Sequence, residues 1–216
     1  MGTIAASSLV TQAAQDLNDA AHSRWTENEL LDYLNDGQRS AVLVKPNVNT
    51  KTETVSLVEG VKQALPEKAY LLIDVTRNMP DGTAINAVER KTLDADRDWS
   101  LPSLANVRVR NFVYDIRDRR TFYVSPPQPA TPGMVEIVYS LAPDVITGSS
   151  SPITIDDIYA PALLAYIMHR ARIKDMAVEG QGPQVSSLYF QKFMTLITGE
   201  NTAYLIPTET AESGDG

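Results

Sequence analysis

The sequence predicts an α+β fold: a bundle of about four helices drawn from both chain ends, with a mostly antiparallel β-sheet or small sandwich inserted between them. Three observations predict it. Apolar residues recur at helical spacing before about residue 46 and again after about 154. Between about 52 and 145 the spacing changes to alternation and short apolar runs. Five to six such strands follow one another without a helical repeat between them, which favours antiparallel neighbours over parallel crossovers. The expected organisation is residues 1–46 as the N-terminal part of the bundle, 47–153 as the inserted β domain, 154–199 as the C-terminal part, and 200–216 as an extended acidic arm.

A first helix is expected to start after Ser7 or Ser8 and to run to about Asn18, with Leu9, Ala13, Ala14 and Leu17 on one face. A second is marked by Thr26 as N-cap with Glu29 three residues later, a capping box. Trp25 before the cap and Leu30 inside the helix suit a hydrophobic staple. Leu30, Leu34, Gly37, Ala41 and Val44 continue the stripe until Pro46 closes it. Gly37 reads as a point of close packing against another helix.

Strands are expected over Thr54–Val58, Ala69–Val75, Ala84–Leu93, Val107–Tyr114, Thr121–Val124 and Met134–Ser140. The run NMPDG, Asn78–Gly82, has turn chemistry. Val107–Tyr114 and Thr121–Val124 form a hairpin around the polar loop Asp115–Arg120. Ser125–Gly133, SPPQPATPG, carries too many prolines for a helix or a central strand. A third helix begins near Thr154–Asp157, capped by either Thr154 or Asp156, and runs to about Val178. Ile158, Ala162, Ala165, Tyr166, His169, Ile173, Met176 and Ala177 are its expected stripe. Pro161 demands a kink there or a helix that starts near Tyr159. EGQGP, Glu179–Pro183, is a turn. A fourth helix over about Val185–Ile197 is expected to place Leu188, Tyr189, Lys192, Phe193 and Leu196 on one side.

Composition narrows the function. The chain has 216 residues, 43% hydrophobic and 21% charged, and no cysteine. Disulfides, thiolate metal sites and a cysteine nucleophile are therefore excluded. No run approaches the ~18 apolar residues of a membrane span, and the start lacks the features of a secretory signal. The net charge is −8. The stretch from Glu200 onward carries Glu200, Glu209, Glu212 and Asp215 and no basic residue. Tight non-specific DNA binding needs the opposite sign, although such a protein could line a passage through which DNA slides.

Chemistry-bearing constellations are sparse. His22 and His169 are the only histidines, and His169 has no ligand-spaced partner, so it reads as a packing residue. Asp156 and Asp157 sit where carboxylates cap a helix. Asp94, Asp96 and Asp98 lack the glycine and glutamate of a calcium loop. No P-loop, GxGxxG, GxSxG or HExxH occurs. No catalytic residue, cofactor or metal site is expected. The most suggestive charged feature is Arg108, Arg110, Arg117, Arg119 and Arg120, interleaved with Phe112, Tyr114, Phe122 and Tyr123. That mixture serves stacking on nucleic acid or a protein–protein interface, and the acidic net charge favours the interface.

Three stretches, RWTENELLDYLNDGQR (Arg24–Arg39), FYVSPPQPATPGMVEIVYS (Phe122–Ser140) and DDIYAPALLAYIMHRARIKDM (Asp156–Met176), in this order, resemble the head-to-tail adaptor (gatekeeper-type tail tubular) proteins of short-tailed and related bacteriophages. The resemblance implies a virion protein, made in the host cytoplasm, at the head–tail junction. It implies a dodecameric ring under the portal protein, with a tail nozzle or tube below, tail fibres nearby and DNA passing through the centre. Pro161 departs from the long helix of that family. Such a ring needs lateral contacts, for which Tyr159, Tyr166, Tyr189, Phe190 and the arginine group are the candidates, with Tyr204, Leu205 and Ile206 of the arm docking on a neighbour. A head-completion or tail-terminator protein is the nearest alternative. A DNA-binding accessory factor and a phage hydrolase are more distant ones.

Overall fold

The computed structural model describes residues 2–175 and 182–199. Helices α1 (Ala6–Asp16), α2 (Glu27–Val44), α4 (Ala160–Asp175) and α5 (Gly182–Thr198) come from the two ends of the chain. Strands β1 (Thr50–Ser56), β2 (Gly60–Ala64), β3 (Ala69–Met79), β4 (Asn86–Ala87), β5 (Asn111–Tyr114), β6 (Thr121–Gln128) and β7 (Met134–Leu141) lie between them, with one short helix, α3 (Arg90–Asp94). The fold is α+β.

The four longer helices share one apolar core, with Leu30, Leu34, Leu163, Ile167, Phe193 and Ile197 fully buried. α2 and α4 run antiparallel: Glu29 near the start of α2 meets Lys174 at the end of α4, and Lys45 after α2 lies over Tyr159 before α4. Gly37 fits the sequence expectation. A Cβ there would stand 3.2 Å from Cδ1 of Tyr166 and 3.4 Å from Leu163, so the absence of a side chain lets α2 and α4 approach closely. Thr26 Oγ1 accepts the Glu29 amide at 3.2 Å, as expected of the cap. Trp25 and Leu30 are both buried in the helical core.

A second core lies between two sheets, ordered β1–β7–β3 and β2–β6–β5–β4. Every pairing is antiparallel except β4 with β5. Val75, Phe122, Val124, Val135 and Ile137 fill the space between them. The sandwich is fastened to the helices at one end. Leu141 N–H donates to the Asn49 carbonyl at 2.8 Å, and Ser140 Oγ donates to the Pro46 carbonyl at 2.8 Å. The returning chain is pinned by two buried polar side chains of α2. Asn35 exchanges two hydrogen bonds with the backbone of Ile146, both 2.9 Å, and Gln38 Oε1 accepts from the amide and hydroxyl of Thr154.

Several expectations are corrected. α1 starts at Ala6, without a serine cap, because Ser149 and Ser151 carbonyls accept the Ser7 and Ala6 amides. β2 was not foreseen: its five residues carry a single buried side chain, Gln63, so no apolar alternation marks it. Ala84–Leu93 is not a strand. Only Asn86–Ala87 is a strand, Ala84 makes an isolated bridge to Arg77, and the chain then makes α3, whose Leu93 is buried. β6 runs through Pro126 and Pro127 in the middle of its sheet. The prolines are tolerated because β2 shifts register between Gly60 and Lys62, skipping that stretch, while the Pro127 carbonyl still accepts from Asn106 at 2.9 Å. Of the two alternatives for Pro161, the start near Tyr159 holds: α4 begins at Ala160 after a single 3₁₀ turn, so the proline occupies its tolerant first turn. Its expected stripe is too narrow: Leu163, Ile167, Met168 and Ala171 are also buried, while Ile158 is 77% exposed. On α5 the buried residues are Ser186, Phe193 and Ile197, and Leu188 and Leu196 point outward. Gly182 and Pro183 open α5 instead of ending a turn. Residues 179–181 of that turn, the Met176–Val178 end of the third helix and the whole of 200–216, with Tyr204, Leu205 and Ile206, fall outside the described residues.

Candidate assembly surface

The five arginines do not form one cluster. Arg108 and Arg110 precede β5, at the opposite end of the β5–β6 hairpin from the loop with Arg117, Arg119 and Arg120. Buried Asn78 fixes the backbone at the first site, since its amide bonds the N–H and C=O of Val109, both at 2.8 Å. Arg108 pairs with Asp81 at 2.6 Å. At the hairpin tip Arg117 grips Asp115 through two nitrogens, at 2.9 and 2.6 Å. These bonds, with the Arg117 backbone amide, hold the exposed Asp115 carboxyl down at about 2. Arg119 stacks 5.3 Å over the Tyr70 ring and donates to its hydroxyl at 2.9 Å. Arg120 donates to the carbonyls of Glu67 and Ala69 at 2.8 and 2.7 Å, tying the hairpin tip to the β2–β3 connection. Arg110 is the one of the five whose side chain has no such tie among the described residues. The aromatic partners also separate: Phe112 and Phe122 are buried in the sandwich, and Tyr123 carries Arg90 over its ring at 4.7 Å.

The helical candidates differ among themselves. Tyr166 is only 9% exposed and takes a hydrogen bond from Ser40 at 3.2 Å, so it belongs to the α2–α4–α5 core. Tyr159 is half-buried beneath Lys45. Tyr189 is half-buried against the helical core, and Phe190 is 40% exposed with its ring 5.0 Å from that of His169. His169 itself exchanges short contacts with Ser186, 2.9 Å to Oγ and 3.0 Å to the carbonyl, which accounts for it as a link between α4 and α5.

A polar seam runs along the outer side of α2 and α4. Burial raises the Asp36 pKa, but hydrogen bonds from Arg39 at 2.6 Å and Arg170 at 2.7 Å outweigh it and leave the carboxyl below its usual range. Glu29 is likewise lowered, burial being outweighed by Lys174 and the Tyr33 hydroxyl. Desolvation and the neighbouring Glu29 push Tyr33 up to about 12. Asp156 caps the 3₁₀ turn, while Asp157 accepts from the amides of Thr3 and Ile4 at 2.7 and 3.0 Å and so clamps the start of the chain. Among the described residues no three His, Asp or Glu side chains are grouped as a metal site would need. These carboxylates are committed to structural ties.

The surface that lacks such ties is apolar. Along α5, Leu188 is 63% exposed, and Val185 and Leu196 are 37% and 38% exposed. Sequence reasoning placed Leu188 and Leu196 on one side with Phe193, which is buried while they are not. The signal that could have corrected it is the width of the apolar run. Val185, Leu188, Phe190, Phe193, Leu196 and Ile197 cover more of the helix than one buried face can hold.

A family model described as the SU10 adaptor protein matches residues 4–207. The chain belongs to this family. It is a phage adaptor-type structural protein, hence a virion component that associates with other head or tail proteins. The match spans both cores, so the sandwich and the helices belong to one adaptor unit. Comparison with the curated proteins gives no match. No helix of this adaptor, among the described residues, is long and apolar enough to cross a membrane.

Proposed function

We propose that this adaptor forms a closed ring, of dodecameric order, which docks under the portal, joins it to the tail nozzle or tube and lets DNA pass without holding it. The observation that carries the reading is the adaptor match over nearly the whole chain. The geometry supports it. Closed rings use heterologous contacts, in which one surface patch meets a different patch on the neighbour. The helical side supplies an uncommitted apolar patch, Leu188, Leu196 and Phe190, and the hairpin tip supplies Ile116, 61% exposed beside Arg117. In this reading the helices from 1–46 and 154–199 act as one bundle, and the 47–153 insertion is the part that reaches a neighbour or the tail. Arg108, Arg110, Arg117, Arg119 and Arg120 serve protein contacts, with Tyr159, Tyr189 and Phe190 on the helical side. The protein needs no cofactor and performs no catalysis.

The test is the oligomeric state of the purified protein with and without portal, read by mass photometry and electron microscopy. Rings stacked on the portal are expected, and Leu188→Glu should reduce them while thermal unfolding stays near the parent's. A protein that remains monomeric with portal present refutes the ring.

A further inference from the structure

The sandwich carries, in its half away from the helices, an open pocket of about 400 Å³. The Asn106 carbonyl at its edge accepts from Gln128 at the Gly60 end of the sheet, whereas the helices join at the Asn49 and Leu141 end. Leu93, Trp99 and Leu104 line the apolar part of the pocket, and Arg110 and Asn111 the polar part. The Trp99 indole N–H donates to Asp94 at 3.1 Å, which holds the ring in place. Asp96 lines the pocket too, its carboxylate accepting the Asp98 amide at 3.1 Å. The Arg110 guanidinium and the Asn111 side-chain amide have no hydrogen bond or ion pair among the described residues. Leu101 and Leu104, at either end of one 3₁₀ turn, are exposed beside them. An untied guanidinium next to an indole and leucines suits an occupant that offers a carboxylate beside an aliphatic side chain. A small anion would leave the leucines wet, and Asp94, Asp96 and Asp98 close by oppose a phosphate chain.

The chain's own surface offers that pair at the other end of the sandwich. The 3₁₀ turn before α4 lies beside Asn49, Thr50 and Leu141. Its Ile158 is 77% exposed. Asp156, also exposed, accepts the Ile158 amide on Oδ1 at 3.0 Å and has no bond to Oδ2 among the described residues. Other exposed aliphatic side chains fit less well. The acids beside Ile116 and Val145 are held by Arg117 and Lys68. Val58 and Glu59 lie in the pocket's own half of the sandwich, next to Gly60, so they reach it only across a two-fold axis. We infer that Asp156 and Ile158 of one subunit seat in the Trp99–Arg110 pocket of a second copy, Ile158 against Trp99 and Leu104 and the Asp156 carboxylate on the Arg110 guanidinium. The two halves of the contact lie at opposite ends of the sandwich, so it is heterologous and repeats head to tail. That the repeat closes into a ring rests on the adaptor reading, whereas the contact itself does not.

The chain has no cysteine, so a pair introduced into the full-length protein reports cleanly. Protein carrying Leu104→Cys with Ile158→Cys is oxidised on portal and, separately, at high concentration without it. A ladder of interchain disulfides running past the dimer is expected in at least one of the two. Arg110→Glu or Asp156→Lys should each cut its yield several-fold. The two together should restore it, a recovery that a merely structural role for either residue would not give. Intrachain bonds, no ladder under either condition, a ladder that stops at the dimer, or one indifferent to both charge changes would overturn the contact. So would rescue of Arg110→Glu by Glu59→Lys in place of Asp156→Lys. Rings on portal without the ladder would sink the contact and leave the adaptor reading standing. A ladder without rings would do the reverse.

Discussion

Gly37→Ala pits two effects of similar size against each other. Alanine in a helix interior is favoured over glycine by about 1 kcal/mol. At this site the new Cβ meets Tyr166 Cδ1 at 3.2 Å, Tyr166 Cγ at 3.3 Å and Leu163 Cδ2 at 3.4 Å. The neighbours must give by a few tenths of an ångström, and the Tyr166 ring has little room to do so. Phe193 packs edge-on against it at 5.0 Å, and its hydroxyl is bonded to Ser40. The propensity gain should therefore be cancelled, leaving Gly37→Ala within about 0.5 kcal/mol of the parent. Gly37→Leu, which drives a branched side chain into the same contact, should cost about 1–3 kcal/mol. Tyr166→Ala removes the obstacle, and Gly37→Ala in that background should recover a gain of about 1 kcal/mol, a coupling of the same size in a double-mutant cycle. Urea unfolding of the four proteins measures all of this. If Gly37→Ala alone stabilises by the full amount and Gly37→Leu is tolerated, the close approach of α2 and α4 does not depend on this glycine.

Asp157→Ala should lower the thermal midpoint, because the carboxylate holds the amides of Thr3 and Ile4. The hydroxyl and amide of Thr3 and the amide of Ile4 depress the Asp157 pKa below 3.8, so its contribution is present above that pH and fades as pH falls through the lowered value. Melting curves of parent and variant should converge on acidification, and a gap that widens below pH 3.8 would contradict the clamp. Tyr139→Phe should cost about 1 kcal/mol, measured by urea unfolding, since it deletes a buried hydroxyl that donates to Glu53 at 2.5 Å. A stabilised variant would contradict that role.

The sequence was most readable where a local rule and the tertiary fold demand the same residue. Thr26 and Pro46 each met a local backbone requirement of α2, and Gly37 sat where the approach of α4 asks for a missing side chain, whereas the Glu29 side chain turns to Tyr33 and Lys174. The hairpin around Asp115–Arg120 was legible for the same reason. Reading failed where long-range partners took over a local task. α1 needs no serine cap because the 149–151 segment satisfies its amides. β6 carries two prolines in mid-sheet because β6 itself bulges there, leaving residues 124–127 out of register with β2. α4 is buried on nearly every side, so its periodicity has no polar face to define a stripe. The polar pins Asn35 and Gln38 were invisible as such, since their partners at Ile146 and Thr154 are remote in sequence.

The arginines show why residue type alone does not define a surface. In the sequence they resemble a basic patch with aromatic neighbours. In the structure Arg108 and Arg117 are neutralised by Asp81 and Asp115, and Arg119 and Arg120 are spent on Tyr70 and on the Glu67 and Ala69 carbonyls. Only Arg110 is left without a side-chain tie among the described residues. Binding to duplex DNA that neutralises Z phosphates loses affinity with a log–log salt slope of about −0.9Z. A subunit that commits one arginine should therefore show a slope no steeper than about −1. All five acting together would give a slope near −4.5. Fluorescence anisotropy across a salt series distinguishes the two. A slope near the steeper value, flattened stepwise by Arg117→Ala and Arg120→Ala, would mean that these side chains leave their local partners for phosphate, and that DNA is held by the protein instead of passing it.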